Sequence, residues 1–194
     1  MKNPQISFIV SAYNRPLALD VCLHSLYIQT FTDFELIVVD RSNFEYDQKL
    51  HEQICKDFGA SKSITYKHIQ SPSKYYSCEQ GAAIATGDWL CFPSDDSYYV
   101  PQFAERMIKC GEQTGADLVY CDLVHGHHDT HNFLSCQPRV GQIDKTNFIL
   151  RRSKMEPFAM KDINYQLSDG YFVESVIKHG AKVAKLDQLL VVHN

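Results

Sequence analysis

The sequence predicts an α/β protein with one mainly parallel central sheet and helices on both faces. Strand-like runs alternate with helical periods over the first 121 residues, in the order β-α-β-α-β-α-β-α-β, which calls for right-handed crossovers between parallel strands. The run at 34–40 (FELIVVD) is nearly continuous in apolar residues, as a strand covered on both faces must be. With 194 residues, 44% of them apolar, the chain suffices for one core and leaves no room for a second.

Residues 5–11 (QISFIVS) have the β-branched and aromatic richness of a buried strand. Asn14-Arg15-Pro16 then starts a helix, with proline suited to its first turn. Leu19, Cys22, Leu23, Leu26 and Tyr27 recur at three and four residues, one face of a 3.6-residue period. The second strand, 34–40, ends in a carboxylate, Asp40. A weakly amphipathic helix is expected at 46–58, stopped by Gly59, a strand at 63–69, and a helix at 76–86 closed by Gly87. The short buried strand WLCF at 89–92 leads straight into Pro93-Ser94-Asp95-Asp96-Ser97. Pro101 opens a helix that reaches about Gly115, and 116–121 (ADLVYC) reads as a further strand. From 122 to 139 the pattern breaks into a polar, His-rich stretch. Beyond it, 144–152 and 169–178 read as helices and 182–193 as one or two strands.

Nineteen Lys and Arg against 23 Asp and Glu give a net charge of −4, which argues against nucleic acid as a partner. No apolar run exceeds four residues, so no segment reads as a bilayer span or a signal-peptide core, and a cytoplasmic protein is expected. The cysteines at 22, 55, 78, 91, 110, 121 and 136 form an odd set with no C-x-x-C pair and read as reduced packing residues.

Open parallel sheets bind ligands at the carboxyl ends of their strands. Three such ends are chemically loaded: Ala12-Tyr13-Asn14-Arg15, Asp40-Arg41-Ser42 and Ser94-Asp95-Asp96. Together they offer an aromatic face, two cations and three carboxylates, which suits a nucleotide with a metal. The chain has neither G-x-G-x-x-G nor a G-x-x-x-x-G-K-[ST] loop to hold phosphates, so a metal would have to do so. Asp95 and Asp96 are hard oxygen ligands for Mg²⁺ or Mn²⁺, and adjacent carboxylates repel unless a cation offsets them. An Asp-rich turn that caps a helix is the other reading of the pair.

The segments ISFIVSAYNRP, TDFELIVVDRSN, GAAIATGDWLCFPSDDSYYVP and ADLVYCD, in this order and spacing, resemble the nucleotide-diphospho-sugar transferases of glycosyltransferase family 2. The resemblance implies the GT-A fold, with a Rossmann-like sheet, and one domain over 1–194. Its nucleotide-sugar part would end near residue 122, and 123–194 would form a small acceptor and base part. It further implies inverting transfer of a sugar, glucose or a related hexose, from a UDP-sugar to a saccharide, lipid or protein acceptor, with Mn²⁺ or Mg²⁺ as cofactor. A homodimer is a further expectation. An inactive nucleotide-sugar-binding module and a nucleotidyltransferase of similar fold are the competing readings.

By the same resemblance, Ala12, Tyr13 and Arg15 contact the base and diphosphate, Asp40 accepts from the base, and Asp96 is the main metal ligand with Ser94 and Asp95 beside it. Ser94 replaces the first Asp of the family's metal motif. Cys78-Glu79 stands where the family often has Arg-Asn against the donor sugar, and Arg41 replaces an Asp and either approaches the donor or lies in solvent, the usual place of arginine. Asp169, in Ser168-Asp169-Gly170 at the start of a late helix, is the implied catalytic base, with a plain helix cap as its other reading. His193 falls where the family carries a metal-ligating histidine, although a position so near the chain end also reads as solvated and frayed. The cluster His125, His127, His128 and His131 falls in an acceptor-side loop, with structural zinc as the minor reading, and Arg151 and Arg152 as a solvated face or diphosphate contacts.

Overall fold

The computed structural model describes residues 4–59, 63–71, 73–127, 130–158 and 167–194. In order, the elements are β1 (Ile6–Ala12), α1 (Pro16–Tyr27), β2 (Phe34–Asp40), α2 (Glu45–Gly59), β3 (Ile64–His68), α3 (Lys74–Ala82), β4 (Trp89–Cys91), β5 (Ser97–Tyr99), α4 (Phe103–Thr114), β6 (Leu118–His127), β7 (Thr130–Leu134), β8 (Phe148–Arg151), α5 (Ser168–Lys178) and β9 (Val183–His193). One sheet runs β3-β2-β1-β4-β8-β6-β9-β5, with β7 paired to β6. The first four strands are parallel. β8 then runs antiparallel to β4 and β6, β9 parallel to β6, and β5 antiparallel to β9. The α/β class therefore holds, and the sheet is parallel over β3-β2-β1-β4 and mixed beyond it.

The apolar faces read from sequence point where expected: Leu19, Cys22, Leu23 and Leu26 of α1 and Leu36 to Val39 of β2 are buried. No disulfide occurs among the described residues; six cysteines are buried and Cys110 is half-buried.

Three expectations fail for identifiable reasons. Residues 144–152 form no α-helix: a 3-10 turn, Lys145–Asn147, with an Asp144/Asn147 capping box, gives way to β8 and a second 3-10 turn begins at Arg152, because Phe148, Ile149 and Leu150 are all buried against β4 and β6. The polar stretch after Asp122 continues β6 and folds back as β7, with Val124 opposite Phe133; pairing with β9 overrides weak local strand propensity. Gly87 does not close α3, which ends at Ala82. It sits where a Cβ would lie 2.7 Å from the Ser7 amide nitrogen, and its N–H donates to Ser7 Oγ at 2.9 Å. No helix of the described residues is long and apolar enough to cross a membrane.

Candidate active site

β1, β2 and β4 deliver the three loaded ends to one rim. The turn after β1 is tied down on both sides. The Tyr13 amide donates to Asp95 Oδ2 at 2.7 Å, the Asn14 amide to Ser42 Oγ at 2.8 Å, and Asn14, at φ 51°, accepts from the Asn43 amide at 3.0 Å. Arg41 lies over the Tyr13 ring, 4.0 Å from its centroid, and both line a cavity of about 530 Å³ with Asn43, Gln48, His68 and Gln70. Arg41 is thus half-buried on an aromatic face and part of the rim, which excludes the solvent reading of this residue and leaves the other.

Arg15, half exposed, spans the acidic pair, donating to Asp95 Oδ1 at 2.5 Å and to Asp96 Oδ2. Burial raises the Asp95 carboxyl, and Arg15 and the Tyr13 amide offset only part of that. Burial acts the same way on Asp96, but His193 and Arg15 outweigh it and hold Asp96 below the usual range.

His193 reaches this point because β9 pairs with β5 on one side, Ser97 opposite His193, and with β6 on the other, His125 opposite His193. It is pinned between two strands, with the Asn194 amide donating to the Asp96 carbonyl, and is not frayed. Its Nε2 lies 3.3 Å from Asp96 Oδ1 and its Nδ1 3.3 Å from Asp144 Oδ2. Burial alone would lower the imidazole, but the two carboxylates bring it up to about 9. A protonated ring supplies the positive charge that the two carboxylates require, a part that a cation beside Nε2 would take over as that nitrogen gives up its proton. Asp96 Oδ1 is buried without a hydrogen-bond partner and His193 Nε2 lies beside it, so a carboxylate oxygen and an imidazole nitrogen stand together for a divalent cation such as Mn²⁺.

A second cavity of about 530 Å³ opens beyond His193, lined by Asp144, Asp169, His125, Leu123, Leu134 and Ile143 among others. Asp169 stands in the first turn of α5 and is 3% exposed, with Oδ1 lacking a partner. Burial and the negative charge of Asp144 push it up to about 6, against the pull of Lys74 and Lys145. These two outweigh the helix dipole that would otherwise lower an Asp here. Asp144 itself is held well below the ordinary range: burial opposes this, and His193 and Lys145 overcome it. Contacts thus run unbroken from one cavity to the other, Tyr13–Asp95–Arg15–Asp96–His193–Asp144, with Asp169 at the far end.

Residues 7–172 match the sequence profile described as Glycosyl transferase family 2. The chain belongs to glycosyl transferase family 2. Among curated relatives of this family 2 chain, a PGL/p-HBAD biosynthesis glycosyltransferase of Mycobacterium tuberculosis is 31% identical over 126 residues, 64% of this chain and 48% of the relative. The chain spans less than half the length of the first curated relatives it matches. Its fold is that of S. aureus TarS 1-349 (TM-score 0.75, 18% identity, 98% of this chain and 60% of that one). It is also that of the mannosyltransferase PcManGT from Pyrobaculum calidifontis, solved with GDP-Man and Mn²⁺ (TM-score 0.76, 14% identity, 100% of this chain and 57% of that one). These likenesses establish the GT-A fold.

The remaining family-implied residues of this glycosyltransferase family 2 chain lie as follows. Ala12 is buried in β1, its carbonyl accepting from the Arg41 amide at 3.0 Å, and Ser94 is buried beside Ser11. Cys78 has no exposed surface to offer a donor sugar; burial pushes its thiol up to about 11. Half-buried Glu79 accepts from the Phe158 amide. Of the histidine cluster, His128 and the side chains of His127 and His131 lie outside the described residues. Arg151 lies over the Trp89 ring, 4.0 Å from its centroid, and Arg152 Nε donates to the Gly87 carbonyl. Sequence reasoning passed over Asp144, whose D-x-x-N cap pattern signals a helix start and nothing of its nearness to His193.

Asp40 is fully enclosed: Oδ1 accepts from the Ser42 amide and hydroxyl at 2.8 and 2.6 Å and lies 3.2 Å from His51 Nδ1, and Oδ2 accepts from the Tyr66 hydroxyl at 2.8 Å. It supports the Ser42–Asn43 wall of the first cavity from below. Burial would raise its pKa, but the contacts with His51, Ser42 and Tyr66 outweigh burial and bring it down to about 2. Its contribution is therefore present above the unfolded value near 4 and is lost as pH falls through about 2, roughly 2 to 3 kcal/mol in all. In urea titrations between pH 4 and pH 2, Asp40→Asn is expected to show a shallower loss of stability than the wild type; parallel curves would refute this.

Proposed function

We propose that the chain forms the donor-binding and catalytic part of an inverting glycosyltransferase that moves a sugar from a UDP-sugar to an acceptor hydroxyl with the aid of Mn²⁺ or Mg²⁺. The supporting observation is the chain of charged contacts that joins two cavities, the second of which has a buried carboxylate of raised pKa, Asp169, in its wall. On this reading the base stacks at the Tyr13–Arg41 wall, Arg15 faces the diphosphate, and Asp96 and His193 hold the cation. When bound, that cation offsets the negative charge developing on the leaving diphosphate. Asp169 takes the proton of the acceptor hydroxyl while its oxygen forms a bond to the anomeric carbon; the bond from that carbon to the diphosphate oxygen breaks and UDP leaves with the electron pair. The solved TarS complexes with UDP and with UDP-GlcNAc support a UDP-linked donor.

The test is thermal stabilisation by UDP-, GDP- and dTDP-sugars with and without Mn²⁺. A UDP-sugar at about a hundred times its Kd is expected to add roughly 2.7 kcal/mol, and only with Mn²⁺. Asp96→Ala is expected to lose that metal-dependent part. Equal stabilisation without metal would overturn the cation assignment, a larger shift with a GDP-sugar the UDP assignment, and no shift with any of them the donor site itself.

A further inference from the structure

The His193 ring stands between two carboxylates, Asp96 Oδ1 at Nε2 and Asp144 Oδ2 at Nδ1, each 3.3 Å away. A neutral imidazole has one N–H and one lone pair, so the nitrogen that keeps the proton decides which side can bind a metal. Asp96 lies on the rim with Arg15, where the proposed diphosphate runs. Asp144 comes from the opposite side, and its geometry is fixed locally. Its Oδ1 accepts from the Thr146 amide at 2.8 Å, and the Asn147 side chain closes the capping box by accepting from the Asp144 amide at 3.2 Å. Oδ2 is thereby left aimed at the imidazole.

We propose that Asp144 is a positioning residue that holds the proton on His193 Nδ1 and so presents the Nε2 lone pair, beside Asp96 Oδ1, to a divalent cation. The proposal rests on the cation reading above and extends it to a residue outside the ligand pair. A carboxylate behind a metal-bound histidine fixes tautomer and ring orientation in this way. Both Nδ1 and Asp96 Oδ1 are buried without an aligned partner. A small tilt of the ring toward a cation would align Nδ1–H with Asp144 and satisfy both atoms. The competing geometry lies on the other face: His125, Asp144 and His193 present possible ligand atoms within 4.8 Å of one another, which would place an ion on Nδ1.

Asp144→Asn separates the two roles of the carboxyl group. The amide oxygen can still accept from Thr146, and Asn caps as well as Asp, so the turn survives. The atom facing Nδ1 becomes an N–H donor, which drives the imidazole proton to Nε2 and covers the lone pair the cation needs; a missing carboxylate leaves the wrong tautomer in the same way in a Ser-His-Asp triad. Mn²⁺ binding to the whole chain with UDP present, read from the free-ion electron paramagnetic resonance signal, is expected to weaken 10- to 100-fold in Asp144→Asn and to stay within about threefold of wild type in His125→Ala. Two-bond ¹H–¹⁵N spectra of the Zn²⁺-loaded wild type, which need no variant, are expected to show Nε2 metallated and Nδ1 protonated. Unaltered Mn²⁺ affinity in Asp144→Asn would overturn the positioning role alone. Metallated Nδ1, or a loss in His125→Ala equal to that in Asp144→Asn, would overturn it in favour of the three-residue geometry. A wild type that takes up no Mn²⁺ would overturn the cation reading with it.

Discussion

Asp169→Asn is expected to cut transfer by about 10²- to 10⁴-fold, the usual contribution of a general base, while Mn²⁺-dependent UDP binding persists. The melting temperature at neutral pH is expected to rise. An unfolded Asp titrates near 3.9, and this one is pushed up to about 6 by burial and Asp144. A folded-state pKa above the unfolded one means that the ionised carboxylate costs stability; the cost begins as pH rises past about 4 and is complete above about 6. At pH 7.5 it amounts to roughly 3 kcal/mol, which removal of the charge recovers as several degrees of melting temperature. The transfer rate of the wild type should climb with pH through about 6 and then level off. Scanning calorimetry of both proteins at pH 7.5, beside a pH–rate profile of the wild type, decides the matter. An active Asn variant, or one that melts lower, would return Asp169 to the role of a helix cap.

Gly170→Ala is the second large effect expected. A Cβ at this position would lie 2.3 Å from Val140 Cα and 2.7 Å from Val140 N. Both are backbone atoms, so no rotamer change relieves the overlap. The same loop is clamped to α5 by the Val140 amide donating to Glu174 at 2.9 Å, and α5 is held from below by Phe172 stacked 3.9 Å from Phe158. The first turn of α5 must therefore give way, and Asp169 moves with it. Overpacking of this kind costs about 1–3 kcal/mol, and a shift of about 1 Å at a reacting group costs transfer about 10²-fold. UDP and Mn²⁺ should bind as before, because Asp96, in the turn between β4 and β5, and His193, on β9, belong to other elements. An Ala variant with wild-type transfer would show that the start of α5 does not set the geometry of the base.

Much of this was legible in the sequence where local pattern and local structure coincide. The strand at 34–40 was read to the residue, and the α1 face from its spacing. β5, β7 and β8 escaped because they are short or polar and exist through pairing with strands distant in sequence, which no window of neighbouring residues contains. The site divides the same way. Asp95, Asp96 and Asp169 announce themselves by type and position at element ends, whereas Asp144 became relevant only once β5 and β6 had brought β9 alongside. For Arg41 the sequence left the donor side and solvent both open, because arginine is usually at the surface and its contact with Tyr13 depends on two strand ends meeting across the rim.

The pairing of β9 with both β5 and β6 also bears on how the protein folds. Asp96 and His193 lie far apart in sequence and meet only when the last strand has been inserted, so a collapsed chain with its helices formed would still lack half of the cation site. The β5–β9 pairing closes the longest loop of any strand pair among the described residues and is therefore expected to come late. A cation bound at the clasp would stabilise an interaction absent from the folding transition state. It should therefore lengthen the lifetime of the native protein and leave its folding rate nearly unchanged.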